Sequence, residues 1–385
     1  MIAGLQREID AALAARARLR RRSVRETAAA LAAASTRWRT DPELSSKLPE
    51  AAHLGPEMVR AILPIVASQL DAACLCELHA REASGTPPAL VAHVLASNVP
   101  GLAVPAIALS CLAGAATVVK SGRADRLSAP AFHRALAAVD PDLAATVVTA
   151  YWPGGSTEVE DAILGRADVV VASGADASVA ILARRLGARV VAQGARTSIA
   201  VAPGDAEHAV VAGLASDVAL YEQRGCLSPH AVFVVGDAAG FAERLRTALD
   251  DVARALPPPL ATTAERAVHR LAVEEARFGG ATVLESTGGT VIVGAAGTEV
   301  GRRTVFVHPL RAPGELATRF APATVECVGV AGVVVDADVL RRQGVARLCP
   351  IGAMQRPRID WPRGQRPALG SLFRVPSEPR IQVEA

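Results

Sequence analysis

Lysine and aromatic residues are scarce in this chain of 385 residues. Aromatic residues make up 3% of the sequence, and the lysines are Lys47 and Lys120, while arginine supplies the other basic side chains. This bias is typical of a GC-rich genome, in which a retained lysine is a candidate for a specific role. Lys120 therefore stands out.

A large net charge of either sign is also absent. The net charge is +3 and the basic residues are dispersed along the chain, which argues against a nucleic-acid partner. Hydrophobic residues make up 51% and charged residues 21%, as in globular proteins. A chain of this length is expected to form two domains.

The cysteines lack the spacings of a disulfide framework or a zinc site. There are six cysteines, and Cys74 and Cys76 stand two apart with no histidine or second cysteine pair at ligand spacing. We interpret them as packing residues. The N-terminal residues lack the apolar core of a signal peptide, so we expect a reducing, cytoplasmic location.

Long uninterrupted apolar runs are missing as well. Residues 94–119 carry no charge, but Asn98, Pro100, Gly101 and Pro105 divide this stretch. A buried strand, a turn, a helix and a second strand explain it better than a membrane span. We therefore expect no membrane-spanning segment.

The pattern of apolar residues predicts an α/β fold. Residues 1–85 have helical spacing, with Trp38 as a packing residue, and short apolar runs alternate with helical segments from residue 89 onward. The predicted strands of this part are 89–96, 116–120, 144–150, 167–172 and 189–192. The predicted helices between them are 102–113, 127–139, 157–166 and 175–187. Such alternation is typical of a doubly wound parallel sheet.

A second α/β region follows, and we predict an aldehyde dehydrogenase-like architecture of two doubly wound domains with a helical N-terminal region. The expected parts are 1–204 with the dinucleotide-binding domain, 205–345 with the catalytic cysteine, and 346–385 as a C-terminal crossover or oligomerisation segment. The predicted elements of the second region are strands near 231–235, 281–284, 290–294, 304–308 and 325–335, and helices at 239–255 and 261–277.

Polar residues follow three of the predicted strands of the first domain. Asn98 follows the first strand, Lys120 ends the second, and Ser173-Gly174 follows the fourth. Parallel sheets bind ligands at the carboxyl ends of their strands, so we expect these residues at a binding edge. The first turn lacks the glycine fingerprint of ordinary dinucleotide-binding folds, so a nucleotide would be held differently.

The stretch around Cys226 is the candidate for nucleophilic chemistry. Gly225 precedes it, Ser228-Pro229 follows, and the apolar run 231–235 predicts a buried strand behind it. A free cysteine is more often a buried small side chain than a nucleophile, so this pattern needs support from the rest of the chain. His93 and His230 are interpreted as structural.

Taken in order, these residues resemble the aldehyde dehydrogenase superfamily, and within it the LuxC-like acyl-CoA reductases of bacterial luminescence operons. The resemblance covers about residues 25–375. The segments that carry it are His93–Pro100, Thr117–Asp125, Asp168–Asp176, Gly225–Pro229, Arg347–Met354 and Trp361.

The resemblance implies an acyl thioester reductase that forms an acyl-cysteine. Cys226 would attack the thioester carbonyl as the thiolate. The Asn98 side-chain amide and the Cys226 backbone N–H would hold the oxyanion, and one such donor contributes about 3 kcal/mol. The residue pattern alone leaves Asn98 open as a turn residue.

The resemblance also implies a nicotinamide donor, with NADPH expected and NADH left open. Lys120 would bind the adenine ribose, Ser173 and Gly174 would lie along the pyrophosphate, and Arg123 is a candidate for a 2′-phosphate. The residues alone also allow a strand cap at Lys120 and a helix cap at Ser173-Gly174. For Arg123 the residues alone favour the interpretation of a solvated side chain.

Departures from the superfamily pattern favour reduction over aldehyde oxidation. In aldehyde-oxidising members a glutamate activates water, and the equivalent position in this chain is occupied by Ala192. The segment 155–159 spells a superfamily cofactor motif but comes one strand too early, so Ser173-Gly174 is the better counterpart. A glutamate for the nicotinamide ribose is left open among Glu285, Glu299 and Glu326. Trp361-Pro-Arg-Gly364 lacks an acidic residue expected before the glycine.

The sequence is also compatible with two other functions. One is a glutamyl-phosphate reductase-type semialdehyde dehydrogenase, which would require a more basic pocket. The other is a non-catalytic subunit of an acyl-transferring complex. The expected substrate is acyl-CoA or an acyl-protein thioester, and an acyl-protein synthetase or transferase would be a compatible partner. We expect a homo-oligomer without a metal.

Overall fold

The computed structural model describes residues 1–19, 22–294, 300–373 and 382–383. These form two compact units, each with its own sheet. The first unit contains Met1–His53, Leu63–Ala195 and residues 358–373. The second contains Leu54–Ile62, Arg196–Pro357 and the short strand Gln382–Val383.

In the described part of the chain five helices precede the first strand, and three of them begin at a residue whose side chain caps the helix. They are α1 (Ile2–Leu19), α2 (Val24–Trp38), α3 (Pro42–Ala52), α4 (Pro56–Ser68) and α5 (Ala72–Glu82). At α2, the Ser23 hydroxyl accepts from the Glu26 N–H and the Glu26 carboxylate accepts from the Ser23 N–H. Trp38 at the end of α2 is fully buried, and its Nε1 donates to the Ser128 carbonyl at 3.1 Å.

The first unit is built on a five-stranded parallel sheet in the order β3-β2-β1-β4-β5. Its elements are β1 (Leu90–Val94), α6 (Ala103–Leu112), β2 (Ala116–Lys120), α7 (Ser128–Val139), α8 (Pro141–Ala144), β3 (Val147–Ala150), α9 (Thr157–Leu164), β4 (Val169–Ser173), α10 (Asp176–Leu186) and β5 (Val190–Gln193). Most strand residues are buried valine and alanine, because helices cover the sheet on both faces. Val94 lies opposite both Lys120 and Ala172, so the carboxyl ends of the three central strands are level.

The second unit contains an eight-stranded sheet in the order β13-β12-β11-β6-β7-β10-β9-β8. Its elements are β6 (Thr197–Pro203), α11 (His208–Ala219), β7 (Pro229–Val235), α12 (Ala238–Ala255), α13 (Thr263–Phe278), β8 (Thr282–Glu285), β9 (Thr290–Val293), β10 (Thr304–Leu310), β11 (Val325–Val330), α14 (Ala337–Arg342), β12 (Arg347–Pro350) and β13 (Gln382–Val383). The strands are parallel except β8, which pairs antiparallel with β9.

The boundary between the units differs from the one placed at 204/205. The structure divides the chain after Ala195, because β6 pairs with β7 and β11 of the second sheet. The C-terminal region from 346 is also divided, since β12 belongs to the second sheet and residues 358–373 to the first unit. Within the described ranges no single helix has the length and apolar composition of a membrane span, although α4 and α5 together, bent at the break between them, reach both.

Candidate active site

Cys226 lies in a tight turn that leads into β7, and its side chain is half-buried. The Ser228 N–H donates to the Gly225 carbonyl at 3.0 Å and closes the turn. From β6, the Ser198 hydroxyl donates to the carbonyl of Cys226 at 2.7 Å and accepts from the Cys327 N–H at 3.2 Å. The backbone of the cysteine is thus tied to the middle of the second sheet.

The three residues Tyr221, Glu222 and Gln223, just before this turn, are all left-handed. Their φ angles are 57°, 54° and 58°, and none of them is glycine. A left-handed conformation costs about 1–2 kcal/mol per L-residue, so the segment stores on the order of 3–6 kcal/mol. Backbone strain of this kind persists only where the surroundings enforce it, and it is concentrated at functional sites.

A second group of contacts holds the far side of the turn. The Gln355 Nε2 donates to the Ser228 hydroxyl at 2.9 Å and to the Asp217 carbonyl at 3.0 Å. The Asp217 carboxylate in turn accepts from the Gly352 N–H at 2.6 Å, and burial raises the pKa of Asp217 to about 6. Because these groups are buried and bonded, they fix Ser228 two residues after the cysteine.

The two histidines that the sequence singled out are uncharged. His93 of β1 is buried, its Nε2 lies 2.8 Å from the Ser110 hydroxyl, and burial together with Arg363 lowers its pKa to about 3. Burial lowers the pKa of His230 to about 4. Neither imidazole carries a positive charge at neutral pH, which agrees with structural roles for both.

In the first unit, Lys120 ends β2 beside an aromatic ring. Its side chain is partly buried, and burial lowers its pKa despite the nearby Glu160. The Nζ lies 5.8 Å from the centre of the Tyr151 ring, and the guanidinium of Arg126 lies 3.6 Å from the same centre. Two cations therefore converge on one ring at the carboxyl ends of β2 and β3.

The loops after β1 and β2 are packed together. Arg123 is exposed, but its N–H donates to the Ser97 hydroxyl at 2.8 Å, one residue before the exposed Asn98. A Cβ on Gly122 would lie 2.5 Å from the Ala96 carbonyl oxygen, so only glycine fits there. Asn98, Lys120 and Arg123 are thus held at one edge of the first sheet.

Ser173 and Gly174 lie at the end of β4 beside an open cleft of the first unit. The Ser173 hydroxyl donates to Gln193 Oε1 at 2.7 Å, and a Cβ on Gly174 would meet nothing within 4 Å. The cleft is bounded by β1, β4, β5, α6 and the segment 358–372. The sequence predicted a C-terminal crossover from residue 346, but no pattern indicated that residues 358–372 line this cleft.

The other positions that the sequence singled out lie on several different elements of the two units. Segment 155–159 leads into α9, after β3, whereas Ser173 is the last residue of β4 and Gly174 follows it. Ala192 is half-buried on β5. Glu285 is exposed and paired with Arg277, and Glu299 lies outside the described residues. Glu326 is buried, with its carboxylate 3.5 Å from Arg196. Among the described residues no cluster of His, Cys, Asp and Glu fits a metal ion.

Comparison with known proteins gives one family match and several related sequences. The profile of the family described as acyl-CoA reductase (LuxC) matches residues 73–374. The long-chain acyl-protein thioester reductase of Aliivibrio fischeri is 26% identical over 310 residues, which cover 76% of this chain and 64% of that protein. The protein of the same name from Vibrio harveyi is 26% identical over 231 residues, covering 57% and 48%. The chain thus spans less than two thirds of the length of these relatives.

Solved structures show the same fold at low sequence identity. A putative aldehyde dehydrogenase from Burkholderia cenocepacia superposes with a TM-score of 0.77 at 17% identity, covering 97% of this chain and 88% of that one. HpcC from Thermus thermophilus gives a TM-score of 0.72 at 16% identity, covering 96% and 84%. The predicted aldehyde dehydrogenase-like α/β fold is confirmed.

Proposed function

The chain belongs to the acyl-CoA reductase (LuxC) family, and on that basis we propose that it reduces a fatty acyl thioester to an aldehyde. The observation that carries the proposal is the setting of Cys226. The thiol is half-buried and follows a strained segment, and the backbone carbonyl of the cysteine is bonded to Ser198. These features indicate a positioned thiol rather than a side chain that only packs in the core.

The first step transfers the acyl group to Cys226. The thiolate forms a bond to the acyl carbon, the bond to the leaving thiol breaks, and that thiolate takes a proton from solvent. We assign the backbone N–H of Cys226 and the amide of Asn98 as donors to the oxyanion of the tetrahedral intermediate. Each donor of this kind contributes about 3 kcal/mol.

Ala192 supports reduction rather than hydrolysis of the acyl-enzyme. Its methyl group cannot take a proton from water, so the acyl-cysteine is expected to persist. When bound, a reduced nicotinamide supplies the hydride that converts the acyl group to the aldehyde. The bond between the acyl carbon and the Cys226 sulfur then breaks, which releases the aldehyde and returns the cysteine as a thiolate.

The residues at the carboxyl ends of β2 and β4 fit a dinucleotide. Lys120 would donate to a ribose hydroxyl, and Ser173 with the open backbone at Gly174 would face the pyrophosphate at the start of α10. Arg123 lies on the loop after Lys120, and with the cations near Tyr151 it supports NADPH as donor, with NADH as the alternative.

The acyl donor is proposed as acyl-CoA or an acyl-protein thioester. The relatives' printed names specify acyl-protein thioesters, which supports the second class. An acyl-CoA series compared with acylated carrier protein, each with NADPH and NADH, would distinguish the donors and the nicotinamides.

The decisive experiment is labelling with a radioactive long-chain acyl-CoA. Wild type is expected to retain one label per chain, and Cys226→Ala none, because the thioester bond needs the sulfur. Cys76→Ala, which removes another half-buried thiol, is the control and should label as wild type. Equal labelling of Cys226→Ala and wild type would refute the acyl-cysteine, and an unlabelled wild type would favour the non-catalytic subunit.

A further inference from the structure

Two left-handed turns meet beside the proposed nucleophile. The first is the segment 221–223 described above, and the second is Arg302-Arg303, with φ angles of 56° and 55°. Both turns belong to the second unit, and they lie just before β7 and β10, which are neighbours in the sheet. Such turns without glycine need side-chain contacts to hold them.

An ion pair joins the two turns. Arg303 donates to the Glu222 carboxylate from Nε at 3.1 Å and from Nη2 at 2.5 Å, and both side chains are buried. The same Nη2 donates to the Leu256 carbonyl at the end of α12, at 2.9 Å. Burial raises the pKa of Glu222, while Arg303 acts in the opposite direction and favours the carboxylate. A planar guanidinium bound through two nitrogens fixes the orientation of Glu222 as well as its distance.

Gln223 forms a second link between the turns. Its Nε2 donates to the carbonyls of Pro229 at 2.9 Å and Thr304 at 2.8 Å, and its Oε1 accepts from the Thr304 N–H at 2.9 Å. The Tyr221 N–H donates to the sulfur of Met58 at 3.4 Å. Each of the three left-handed residues is therefore held by a contact outside its own segment.

The segment sets where Cys226 projects. Arg224 and Gly225 alone separate Gln223 from the cysteine, and the Arg224 N–H donates to the Tyr221 carbonyl at 3.1 Å. If residues 221–223 relaxed to ordinary φ values, the chain direction into the cysteine turn would change. A displacement of about 1 Å at a reacting atom lowers rates about 100-fold.

We propose that Glu222 and Arg303 are positioning residues for Cys226, which hold the left-handed segment and thereby aim the thiol at the acyl carbon. The pair acts through the backbone and does not contact substrate. The inference rests on the proposed function insofar as Cys226 is the acylated thiol.

The test uses Glu222→Gln, Arg303→Met, the double variant and Arg303→Lys in the full chain. One readout is the single-turnover rate of acylation by a long-chain acyl-CoA, with its dependence on acyl-CoA concentration. The other is the rate of alkylation of each cysteine by iodoacetamide, mapped by peptide mass spectrometry, which needs no thioester chemistry. Arg22→Met, which removes a partly buried ion pair with Asp140 in the first unit, is the matched control.

The expected result is a fall of about 100-fold in the acylation rate, with the half-saturating acyl-CoA concentration changed less than about threefold. Alkylation of Cys226 should rise, while the buried Cys327 and Cys349 stay protected. The double variant should be no slower than the single variants, because the pair acts as a unit, and Arg303→Lys should recover part of the rate.

Three results would overturn the proposal. If Arg303→Met is acylated and alkylated at the same rates as wild type, the pair does not aim the thiol. If alkylation of Cys327 rises together with that of Cys226, the substitutions loosen the fold in general. The same conclusion follows if Arg22→Met loses as much acylation rate as the Glu222 and Arg303 variants. If wild type itself is not acylated while Cys226 alkylation still responds to the pair, the proposed function fails but the positioning of the thiol stands.

Discussion

Replacing Asp217 by asparagine removes a buried charge next to the cysteine turn without changing the shape of the side chain. The carboxylate accepts from the Gly352 N–H at 2.6 Å and from the Gln355 N–H at 3.4 Å, and burial raises its pKa to about 6 from the ordinary 3.8. Since an amide has one oxygen, Asp217→Asn keeps one of these acceptors and carries no charge at any pH.

The magnitude follows from the pKa values. A folded pKa of about 6 and an unfolded value of 3.8 mean that the folded protein binds the proton more tightly. The stability from this group is present below pH 3.8 and is lost as pH rises through about 6. At about 1.36 kcal/mol per pKa unit, the loss is about 3 kcal/mol. The free energy of unfolding of wild type minus that of Asp217→Asn should therefore fall by about 2 kcal/mol between about pH 4 and pH 7, because part of the loss has already occurred at pH 4.

The assay must report on the second unit. Trp38, Trp152 and Trp361 all lie in the first unit, so tryptophan fluorescence does not follow the unfolding of the unit that contains Asp217. Hydrogen exchange of peptides from α11 in increasing urea, with both proteins at the same pH, gives the required difference. Other titrating groups are common to both proteins and cancel.

A stability difference that stays constant across this pH range would refute the assignment of a protonatable buried carboxyl at Asp217. A difference that grows with pH would mean that the backbone donors stabilise the charge more than burial disfavours it. That outcome would reverse the sign of the pKa change.

Further predictions concern the two sheets separately. Asn98→Ala should slow acylation about 100-fold and leave the Kd for NADPH unchanged in equilibrium titration, and a parallel loss of affinity would contradict the oxyanion role. Lys120→Met should raise that Kd about tenfold with acylation of Cys226 retained, and an unchanged Kd would remove the lysine from the nucleotide site. Ser198→Ala should slow acylation several-fold by freeing the carbonyl of Cys226, which single-turnover labelling measures; wild-type rates would show that this bond is dispensable. Ala192→Glu should raise the release of free fatty acid from the acyl-enzyme, measured by chromatography, and unchanged acid release would contradict the assignment of position 192 to the water-activating base.

Local sequence patterns were sufficient for most of the first unit. The five strands lie within about three residues of the predicted ranges, because short valine-rich runs alternate there with helical spacing. Strand β6 was missed, since its seven residues are mostly small and its pairing with β11 joins residues more than a hundred positions apart. Pairing over that separation leaves no local signal.

The contacts around Cys226 were equally hidden. Glu222 and Gln223 are polar residues in a buried stretch, and buried polar groups have partners, so their presence was a signal that something must meet them. The sequence does not indicate that the partners are Arg303 and Thr304, which lie 81 residues away. The left-handed backbone was not predictable either, because no glycine or asparagine marks it.

Anyone who redesigns the nucleotide preference of this protein by randomising the loop after β2 should leave position 122 fixed. The carbonyl oxygen of Ala96 occupies the space that any side chain there would need. Variants at that position would push the neighbouring loop and carry Asn98 with it, so they would be lost for reasons unrelated to the nucleotide. Diversity is better placed at positions 123 and 126, where both residues are exposed.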